Sequence, residues 1–583
     1  MEYDSDDVQH IAALSRLRLA TIEIEHVMKV CRAPSISYGI LHKGKVLYQR
    51  SIGCRDVELG LPADSDTSYA IGSCSKMITS LALGILAHDG SLAWNDTIQK
   101  HIPTFDPVED PEIAQKATIV DACRHTTGLA NPNAVCMGPG VTLNIAGEQH
   151  ITLINALPTF NTSGQRFRRW WTYSNAVFGL MATVIENASG MGFSEYIQKR
   201  ILDPLGLSQT MVSGAAVEAN ANVANPAVQM ADTSWRNTPF GFTSEAYPAM
   251  LASLGMRSSV SDLLTLLNAV MDRYEEETAA VSTDLVSSNP LGQVSDLWNY
   301  DWWTRPIDDG FESDARYLFG WYRTTMPTGG LGLTSNNFGR LQDEAKSYRK
   351  YIIGQESAPR VIYGHNGVVN GSVATAYLCP TTHSAIVALS NGSDAGDAAE
   401  ITAQILLQAL FDLQPHIDFR PAVEEWNLYN AAAHESMISE WQRHRNEERY
   451  TSRWEDYIGV YVGLSVSRIN VVQNSSAPAQ LAVSFGDNHK TQRDLEPYDA
   501  DVLSFLPKKR DELLAQGMLD WDFWRVGLFD FLRNEHGEVE ALWWQWDEYD
   551  YPGLWVKDVE EMTIAQREAV IEKYGRFQKD GEA

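Results

Sequence analysis

The stretch that most constrains the fold of this chain runs from Tyr69 to Thr79 and reads Tyr-Ala-Ile-Gly-Ser-Cys-Ser-Lys-Met-Ile-Thr. A short apolar run reaches a glycine, and the residues that follow favour a helix with a buried apolar face. Ser73 and Lys76 are three positions apart, so on a helix their Cβ atoms lie roughly 5–6 Å apart on one face. A desolvated lysine has a lowered pKa and can act as base for a neighbouring serine. Alone, the pattern also fits a capping serine beside a solvated lysine, so other motifs must decide.

Length and charge narrow the classes of partner. The chain has 583 residues and a formal net charge of −29, with 44% hydrophobic and 21% charged residues. A globular chain of this length forms more than one domain. Nucleic acids and anionic membranes attract basic surfaces, and no run of about 18 apolar residues is present. We therefore expect a small-molecule substrate, no nucleic-acid partner and no membrane partner, and a homo-oligomer is left open.

The cysteines indicate a reducing compartment. Six of them are scattered along the chain without a C-x-x-C pair, at positions 31, 54, 74, 123, 136 and 379. This distribution is typical of free thiols and not of a disulfide framework. The first residues are acidic where a secretory signal is basic, so we expect a cytoplasmic location. No zinc-type spacing of His and Cys occurs, and we expect neither a metal nor a cofactor.

Periodicity gives a coarse organisation. Residues 8–31 are helical, Ile36–Leu41 and Val46–Ile52 form a hairpin, and an aromatic, polar insert extends over about 272–345. We expect this insert to line a site for an apolar acyl or aryl group. Beyond a charged helical connector, short strands are predicted at Tyr457–Gly463, Gln480–Phe485, Val502–Leu506, Phe523–Phe531 and Val539–Trp546. Short alternating strands of this kind suggest a small antiparallel barrel or sandwich, with the tryptophans at 543–546 in its core and not on a ligand platform.

Two further motifs follow the Ser73-x-x-Lys76 pair in chain order, Tyr173-x-Asn175 and His365-x-Gly367. Together with the residues that flank them, the three motifs resemble those of the serine β-lactamase and penicillin-binding-protein superfamily, in particular its class C β-lactamase, D-aminopeptidase and esterase branch. The matching stretches are Ile71-Gly72-Ser73, His125-Thr126-Thr127-Gly128-Leu129, Tyr173-Ser174-Asn175, Pro204-Leu205-Gly206-Leu207, Leu254-Gly255 and His365-x-Gly367. Their order within the segment from about 34 to 411, roughly 380 residues long, makes the resemblance specific.

The resemblance implies an α+β fold, a β-lactamase-like transpeptidase fold with an antiparallel sheet flanked by helices and an all-helical region. It implies Ser73 as the acylated nucleophile and Lys76 as general base or as holder of the hydrogen-bond network. Tyr173 would relay the proton, and Asn175 would bind Lys76 and the substrate amide. The backbone N–H groups of Ser73 and Val368 would form the oxyanion hole.

The third motif departs from penicillin-hydrolysing enzymes, which carry Lys-Thr-Gly there. This chain has His365-Asn366-Gly367, the form found in the D-aminopeptidase and esterase members. Histidine is mostly neutral at pH 7, so a substrate carboxylate is less favoured. His365 either assists proton transfer or only forms hydrogen bonds at the strand edge. We expect Cys74, beside the nucleophile, to be a buried packing residue.

The predicted domains are a helical segment at 1–33, a catalytic domain at 34–415, a helical connector at 416–452 and a β domain at 453–583. The last resembles the lipocalin-like domain appended to some members of the same branch.

The predicted function is that of a serine hydrolase or acyltransferase acting through an acyl-Ser73 intermediate on an ester, amide or peptide of a small molecule, such as a secondary metabolite. One alternative is a non-catalytic scaffold that keeps the fold. Another is an isomerase or cyclase that reuses the pocket of Lys76 and Tyr173 without hydrolysis.

Overall fold

The computed structural model describes residues 5–140, 142–159, 166–279, 288–299, 302–303, 315–332, 335, 348–450, 452–474, 480–486, 492–517, 523–547, 552–559 and 562–575. The chain divides into two compact units. The first contains residues 1–103, 117–125 and 178–431, and the second contains residues 104–116, 126–177 and 432–583. The grouping places two internal segments with the C-terminal residues, whereas the predicted domains are continuous. The predicted boundaries stay a prediction.

The strands that precede the barrel are short except in the main sheet. In the first half of the chain they are β1 (Ser35–His42), β2 (Lys45–Asp56), β3 (Leu61–Pro62), β4 (Tyr69–Ala70), β5 (Met137–Gly138), β6 (Thr142–Leu143), β7 (Ala227–Gln229), β8 (Trp235–Asn237) and β9 (Arg257–Ser258). They are followed by β10 (Trp302–Trp303), β11 (Arg316–Tyr317), β12 (Tyr322–Met326), β13 (Arg360–Val369), β14 (Ser372–Cys379) and β15 (Ser384–Ser390). The hairpin predicted around residues 36–52 is β1 and β2.

The α-helices of the described residues vary widely in length. They are α1 (Ser5–Val30), α2 (Ser75–His88), α3 (Ile98–His101), α4 (Pro111–Lys116), α5 (Ile119–Cys123), α6 (Asn133–Cys136), α7 (Gly147–Asn155), α8 (Asn175–Ser189), α9 (Phe193–Ile197), α10 (Asp203–Leu205), α11 (Gly214–Ala219), α12 (Pro248–Met250), α13 (Val260–Thr278), α14 (Val294–Asn299), α15 (Ala398–Phe411), α16 (Arg420–His444), α17 (Arg510–Ala515) and α18 (Ile564–Tyr574). No single one of them is long and apolar enough to cross a membrane, and only the bent pair 175–189 and 193–205 meets the length and composition criteria jointly.

The first unit is built on an antiparallel sheet in the order β10-β11-β12-β13-β14-β15-β1-β2-β3. Helices cover both of its faces, as β1 demonstrates. The Tyr38 hydroxyl lies 3.1 Å from Thr21 Oγ1 on α1. A Cβ on the adjacent Gly39 would lie 2.6 Å from Val260 Cγ1 on α13. Successive residues of a strand face opposite ways, so α1 and α13 pack on opposite faces, and the predicted α+β sheet flanked by helices is confirmed.

The predicted aromatic insert contributes to this sheet. Its described residues include β10, β11 and β12, which form one edge. Trp298, Trp321 and Tyr322 are almost fully buried, so these three aromatics belong to the hydrophobic core and do not present a surface to a substrate. The segments 280–287, 300–301, 304–314, 333–334 and 336–347 of the insert lie outside the described residues.

The second unit contains a closed antiparallel barrel, which confirms the predicted C-terminal barrel. Its strands are β16 (Gly459–Gly463), β17 (Ser467–Gln473), β18 (Leu481–Phe485), β19 (Arg493–Asp499), β20 (Val502–Ser504), β21 (Leu528–Arg533), β22 (Val539–Trp544) and β23 (Gly553–Asp558). Pairing of β23 with β16 closes it. Trp544 is fully buried, with its ring 5.4 Å from that of Phe485 and 5.2 Å from that of Trp555, so it belongs to the barrel core as expected.

Candidate active site

Ser73 and Lys76 are positioned by the junction between β4 and α2. β4 pairs with β9, and the chain then passes through a 3-10 turn at Gly72–Cys74 directly into α2. Gly72 has a φ of +49°, a conformation that side chains rarely adopt. Ser73 therefore lies in the turn before α2 and Lys76 is the second residue of the helix, whereas the sequence placed both on one helix. The three-residue spacing still brings their side chains together.

Lys76 is fully buried and lies against the Ser73 hydroxyl. Its Nζ is 3.2 Å from Ser73 Oγ and donates a hydrogen bond of 2.8 Å to the Ser253 carbonyl oxygen. The centre of the Phe178 ring lies 5.4 Å from Nζ. Burial penalises the charged ammonium and lowers the pKa of Lys76 well below its ordinary value. A neutral amine at this distance can accept the Ser73 proton.

The Ser253 carbonyl is available because the chain forms a π-helical turn at Leu251–Gly255. A π turn shifts carbonyl groups out of the ordinary helical ladder, and such turns are frequent at functional sites. The turn is fixed to α2 by a second contact, in which Thr79 Oγ1 donates to the Ala252 carbonyl at 2.8 Å. Consecutive carbonyls of the turn thus bind two residues of α2 and hold Lys76 in place.

A narrow gap between β13 and the Gly72 turn brings two backbone N–H groups together. A Cβ on Gly367 would lie 1.9 Å from the Ile71 carbonyl oxygen and 3.1 Å from the Ser73 nitrogen. A Cβ on Gly72 would lie 2.7 Å from the Val368 nitrogen. Both positions require glycine because the two backbones approach so closely. The nitrogen atoms of Ser73 and Val368 therefore border one gap, as an oxyanion hole requires.

His365 is buried, and hydrogen bonds occupy both of its ring nitrogens. Nδ1 lies 2.5 Å from the Asn366 carbonyl oxygen, which can only accept, so Nδ1 carries the proton. Nε2 then accepts the hydrogen bond of 2.9 Å from the Tyr317 hydroxyl. Burial, followed by the proximity of Lys76, lowers the pKa of His365 to about 3. The imidazole is therefore neutral at pH 7.

Other groups around the motif come from distant parts of the chain and have no motif of their own. The Tyr317 ring lies 5.0 Å from that of His125, whose pKa is lowered well below its usual value by burial and by Lys76. Gly320, with a φ of +70°, lets the same segment approach α2, since a Cβ there would lie 2.7 Å from the Lys76 carbonyl oxygen. Ser253, Phe178 and Tyr317 were missed because single residues on separate elements leave no spacing pattern in a sequence.

Cys74 is buried beside the nucleophile. Its Sγ lies 3.3 Å from the His365 carbonyl oxygen, and burial raises the pKa of the thiol. A buried neutral thiol is unreactive, which agrees with the predicted packing role.

Tyr173 and Asn175 belong to the second unit. Asn175 is the first residue of α8 and is 6% exposed, and its Nδ2 donates to Asn133 Oδ1 at 3.2 Å. The start of the helix is capped by Ser174, whose Oγ accepts from the Val177 nitrogen at 3.3 Å, so Asn175 is not the cap. Tyr173 is half-buried, with its ring 5.8 Å from that of Trp171. The structure thus brings Ser73, Lys76, His365, Gly367 and Val368 together, and the apposition of Tyr173 and Asn175 to them stays a prediction.

Comparison with known proteins agrees with the motifs. The family model described as Beta-lactamase matches residues 23–410. Protein flp of Staphylococcus aureus (strain NCTC 8325 / PS 47) is 29% identical over 197 residues, which cover 34% of this chain and 38% of that protein. Penicillin-binding protein 4* of Bacillus subtilis (strain 168) is 29% identical over 170 residues, which cover 29% of this chain and 36% of that protein. The match thus spans less than two fifths of either relative.

A solved structure supports the fold over a longer range. The octameric penicillin-binding protein homologue from Pyrococcus abyssi aligns with a TM-score of 0.52 and 18% identity, covering 92% of this chain and 99% of that one. At this identity the likeness shows the fold alone. The family model, however, covers more than half of the sequence, and it includes the segments that carry Ser73, Lys76, Tyr173, Asn175 and His365. The chain belongs to the beta-lactamase family.

Proposed function

We propose that the chain is a serine hydrolase or acyltransferase that forms an acyl-Ser73 intermediate with an ester, amide or peptide of a small molecule. The observation that carries the proposal is the 3.2 Å contact between Ser73 Oγ and a fully buried Lys76 whose pKa is lowered. Serine is a weak nucleophile without a base at hydrogen-bond distance. A neutral lysine supplies that base, and family membership provides the precedent.

In the acylation step, Ser73 Oγ attacks the carbonyl carbon of the substrate and its proton passes to Lys76 Nζ. The bond to the leaving group then breaks, and the leaving group takes up a proton. The negative charge that develops on the carbonyl oxygen is stabilised by the N–H groups of Ser73 and Val368. Loss of one such donor typically slows acyl transfer about 10²–10³-fold.

Tyr173 is proposed to deliver the proton to the leaving group, and Asn175 to bind the substrate amide. Support for these two roles comes from the Tyr-x-Asn motif. The hydrogen bond that Asn175 Nδ2 donates to Asn133 Oδ1 restrains the Asn175 side chain.

Of the two roles that the sequence left open for His365, we propose the second, in which it only forms hydrogen bonds, here to Tyr317 and to the Asn366 carbonyl oxygen. With both ring nitrogens engaged and a pKa of about 3, it carries no charge to attract a substrate carboxylate at neutral pH. We therefore propose substrates whose binding does not depend on a carboxylate at this position. Simple esters and D-amino-acid amides fit this requirement better than penicillins or cephalosporins.

Deacylation by water gives a hydrolase, and deacylation by an alcohol or amine gives an acyltransferase. We propose a homo-oligomer in solution, with the octameric homologue from Pyrococcus abyssi as the supporting precedent. Size-exclusion chromatography with light scattering measures its mass. We also propose a reducing, cytoplasmic location, because the six cysteines are free thiols.

The test is intact-protein mass spectrometry after treatment with a fluorophosphonate probe. Wild-type protein is compared with Ser73→Ala and Lys76→Ala. Ser91→Ala and Lys100→Ala serve as matched controls because both positions are exposed. We expect one adduct per chain, absent from both site variants and present in both controls.

Acyl donors are then ranked by the same acyl-enzyme measurement, with p-nitrophenyl esters and D-amino-acid anilides expected to exceed a chromogenic cephalosporin. Absence of an adduct from folded wild-type protein contradicts the proposal and favours the scaffold. Turnover of a substrate by Ser73→Ala would favour the isomerase or cyclase.

A further inference from the structure

The second unit has a cavity that no motif of the sequence predicts, where strands β18, β19 and β20 of the barrel meet residues 450–455 and the segment 505–516. Its volume is 870 Å³, within the range of roughly 300–1,000 Å³ of small-molecule sites. The lining includes apolar residues that are otherwise almost fully buried, namely Leu481, Leu495, Leu503 and Phe505. Trp454 and Arg493 complete the part of the lining that the following argument uses.

The strand register places Arg493 on the inward face of the barrel. Phe485 faces inward, because its ring contacts those of Phe529 on β21, Trp544 on β22 and Phe505 just after β20. Side chains two residues apart on a strand share a face, so Val483 also faces inward. Val483 pairs directly with Arg493 across β18 and β19. An arginine on the inward face of a barrel is unusual, because a desolvated charge is costly unless it has a partner.

The guanidinium of Arg493 has little to pair with among the described residues. It forms no ion pair there, its Nε is buried without a hydrogen-bond partner, and its NH1 donates only to the Gln492 carbonyl oxygen at 2.9 Å. Burial lowers the pKa of Arg493 from its ordinary value, but a guanidine remains protonated at pH 7. Arg493 is therefore a charged donor directed toward the cavity.

Four carboxylates line the cavity, and the two that lie on the same strand as Arg493 already have partners. Glu496 accepts from Lys508 at 2.6 Å and from Arg445 at 3.2 Å. Asp494 accepts from Asn474 at 2.7 Å and pairs with Ala482, on the face opposite to that of Arg493. These pairs reduce the attraction of the cavity for a cation. The negative charge of Asp494 partly opposes the effect of burial on Arg493, but the buried Nε of the guanidinium still has no hydrogen-bond partner among the described residues.

We infer that this cavity binds a small organic anion, a carboxylate on an apolar body, with the carboxylate on Arg493 and the apolar body against Leu481, Leu495, Leu503 and Phe505. An arginine fork matches the two oxygens of a carboxylate. The mouths of β-barrels are frequent places for such sites. The site is independent of the acyl-enzyme chemistry proposed for Ser73.

The test is isothermal titration calorimetry on the full chain with octanoate, octanol and octylamine as probes. Octanoate is expected to bind, with octanol and octylamine at least about tenfold weaker, because a charged hydrogen bond distinguishes the three head groups. Arg493→Gln should weaken octanoate roughly ten- to hundredfold and leave octanol unchanged. Arg453→Gln is the matched control, since that side chain also lines the cavity but is 78% exposed, and it should change octanoate binding less than about twofold.

Leu503→Trp, which fills the cavity, should abolish binding of octanoate while thermal unfolding shows a folded barrel. Arg493→Gln should keep the melting temperature of wild type, because removal of a desolvated, unpaired charge costs little. The proposal is overturned by absence of heat at millimolar octanoate. Octanoate binding that persists in Arg493→Gln, or preferential binding of octylamine, would overturn it equally.

Discussion

The close approach of β13 to the Gly72 turn makes Gly367→Ala the most informative single substitution. The added Cβ would lie 1.9 Å from the Ile71 carbonyl oxygen, which is a backbone atom and cannot rotate away. Ordinary contact requires the two backbones to separate by roughly 1 Å, and a displacement of that size at a reacting centre can cost about 10²-fold in rate. Because Val368 follows directly, its N–H group moves with the strand. We expect the rate at which Ser73 is acylated to fall about 10²–10³-fold, as is usual when one oxyanion donor is lost.

The assay is the second-order rate of Ser73 labelling by a fluorophosphonate, because it needs no knowledge of the natural substrate. Gly192→Ala is the matched control, since a Cβ there meets nothing within 4 Å. The control should label at the wild-type rate. Thermal unfolding of both variants separates a local displacement from a loss of folding. A folded Gly367→Ala protein that labels within about threefold of wild type would refute the assignment of the gap as an oxyanion hole.

Three further perturbations test the buried groups. The unfolded chain keeps a proton on Lys76 up to about its ordinary pKa of 10.5, whereas the folded chain loses it at much lower pH, so the stability contributed by this group rises with pH between the two values. Lys76→Met should therefore unfold at a higher temperature than wild type at pH 7, and this difference should shrink toward pH 10.5. A melting temperature of Lys76→Met equal to or below that of wild type at pH 7 would contradict a desolvated lysine. In denaturant titrations, Tyr317→Phe should lower the free energy of unfolding by about 1–3 kcal/mol, because it leaves Nε2 of His365 buried without its hydrogen-bond donor. Tyr196→Phe is the control and should not lower it, since the buried Tyr196 hydroxyl has no partner among the described residues. Trp544→Ala should lower the free energy of unfolding of the barrel by about 3–5 kcal/mol. A decrease of less than about 1 kcal/mol would mean that this side chain does not fill the barrel core.

The motifs were readable because each depends on local spacing. A spacing of three residues brings Ser73 and Lys76 together across the 3-10 turn and the start of α2, and Gly367 and Val368 are neighbours in one strand. The apolar pattern of α2 indicated a buried face, and it is this burial that lowers the pKa of Lys76. A spacing of three residues is therefore enough to predict that the side chains of Ser73 and Lys76 meet, whereas their proposed roles as nucleophile and base depend on the other motifs as well.

Strands of the barrel were harder to predict. β17, β19 and β23 were missed, and β19 shows why, because Arg493–Asp499 contains charged residues and Pro497. Alternation of polar and apolar residues is weak in such a strand, and a proline argues against it. Closure of the barrel supplies hydrogen-bond partners on both sides, so the strand forms in spite of its composition.

The sequence by itself determined the pairing of Ser73 with Lys76 from local spacing and a C-terminal antiparallel barrel or sandwich from short alternating strands. Its motifs also carried the family resemblance, and that resemblance implied the antiparallel α+β fold. Only the tertiary structure decided that the Ser253 carbonyl, 177 residues away, holds Lys76 and that Tyr317, 48 residues away, holds His365. It also decided that Arg493 faces the interior of the barrel. Contacts between residues so far apart arise from chain packing, and desolvation by that packing sets the protonation state on which the chemistry depends.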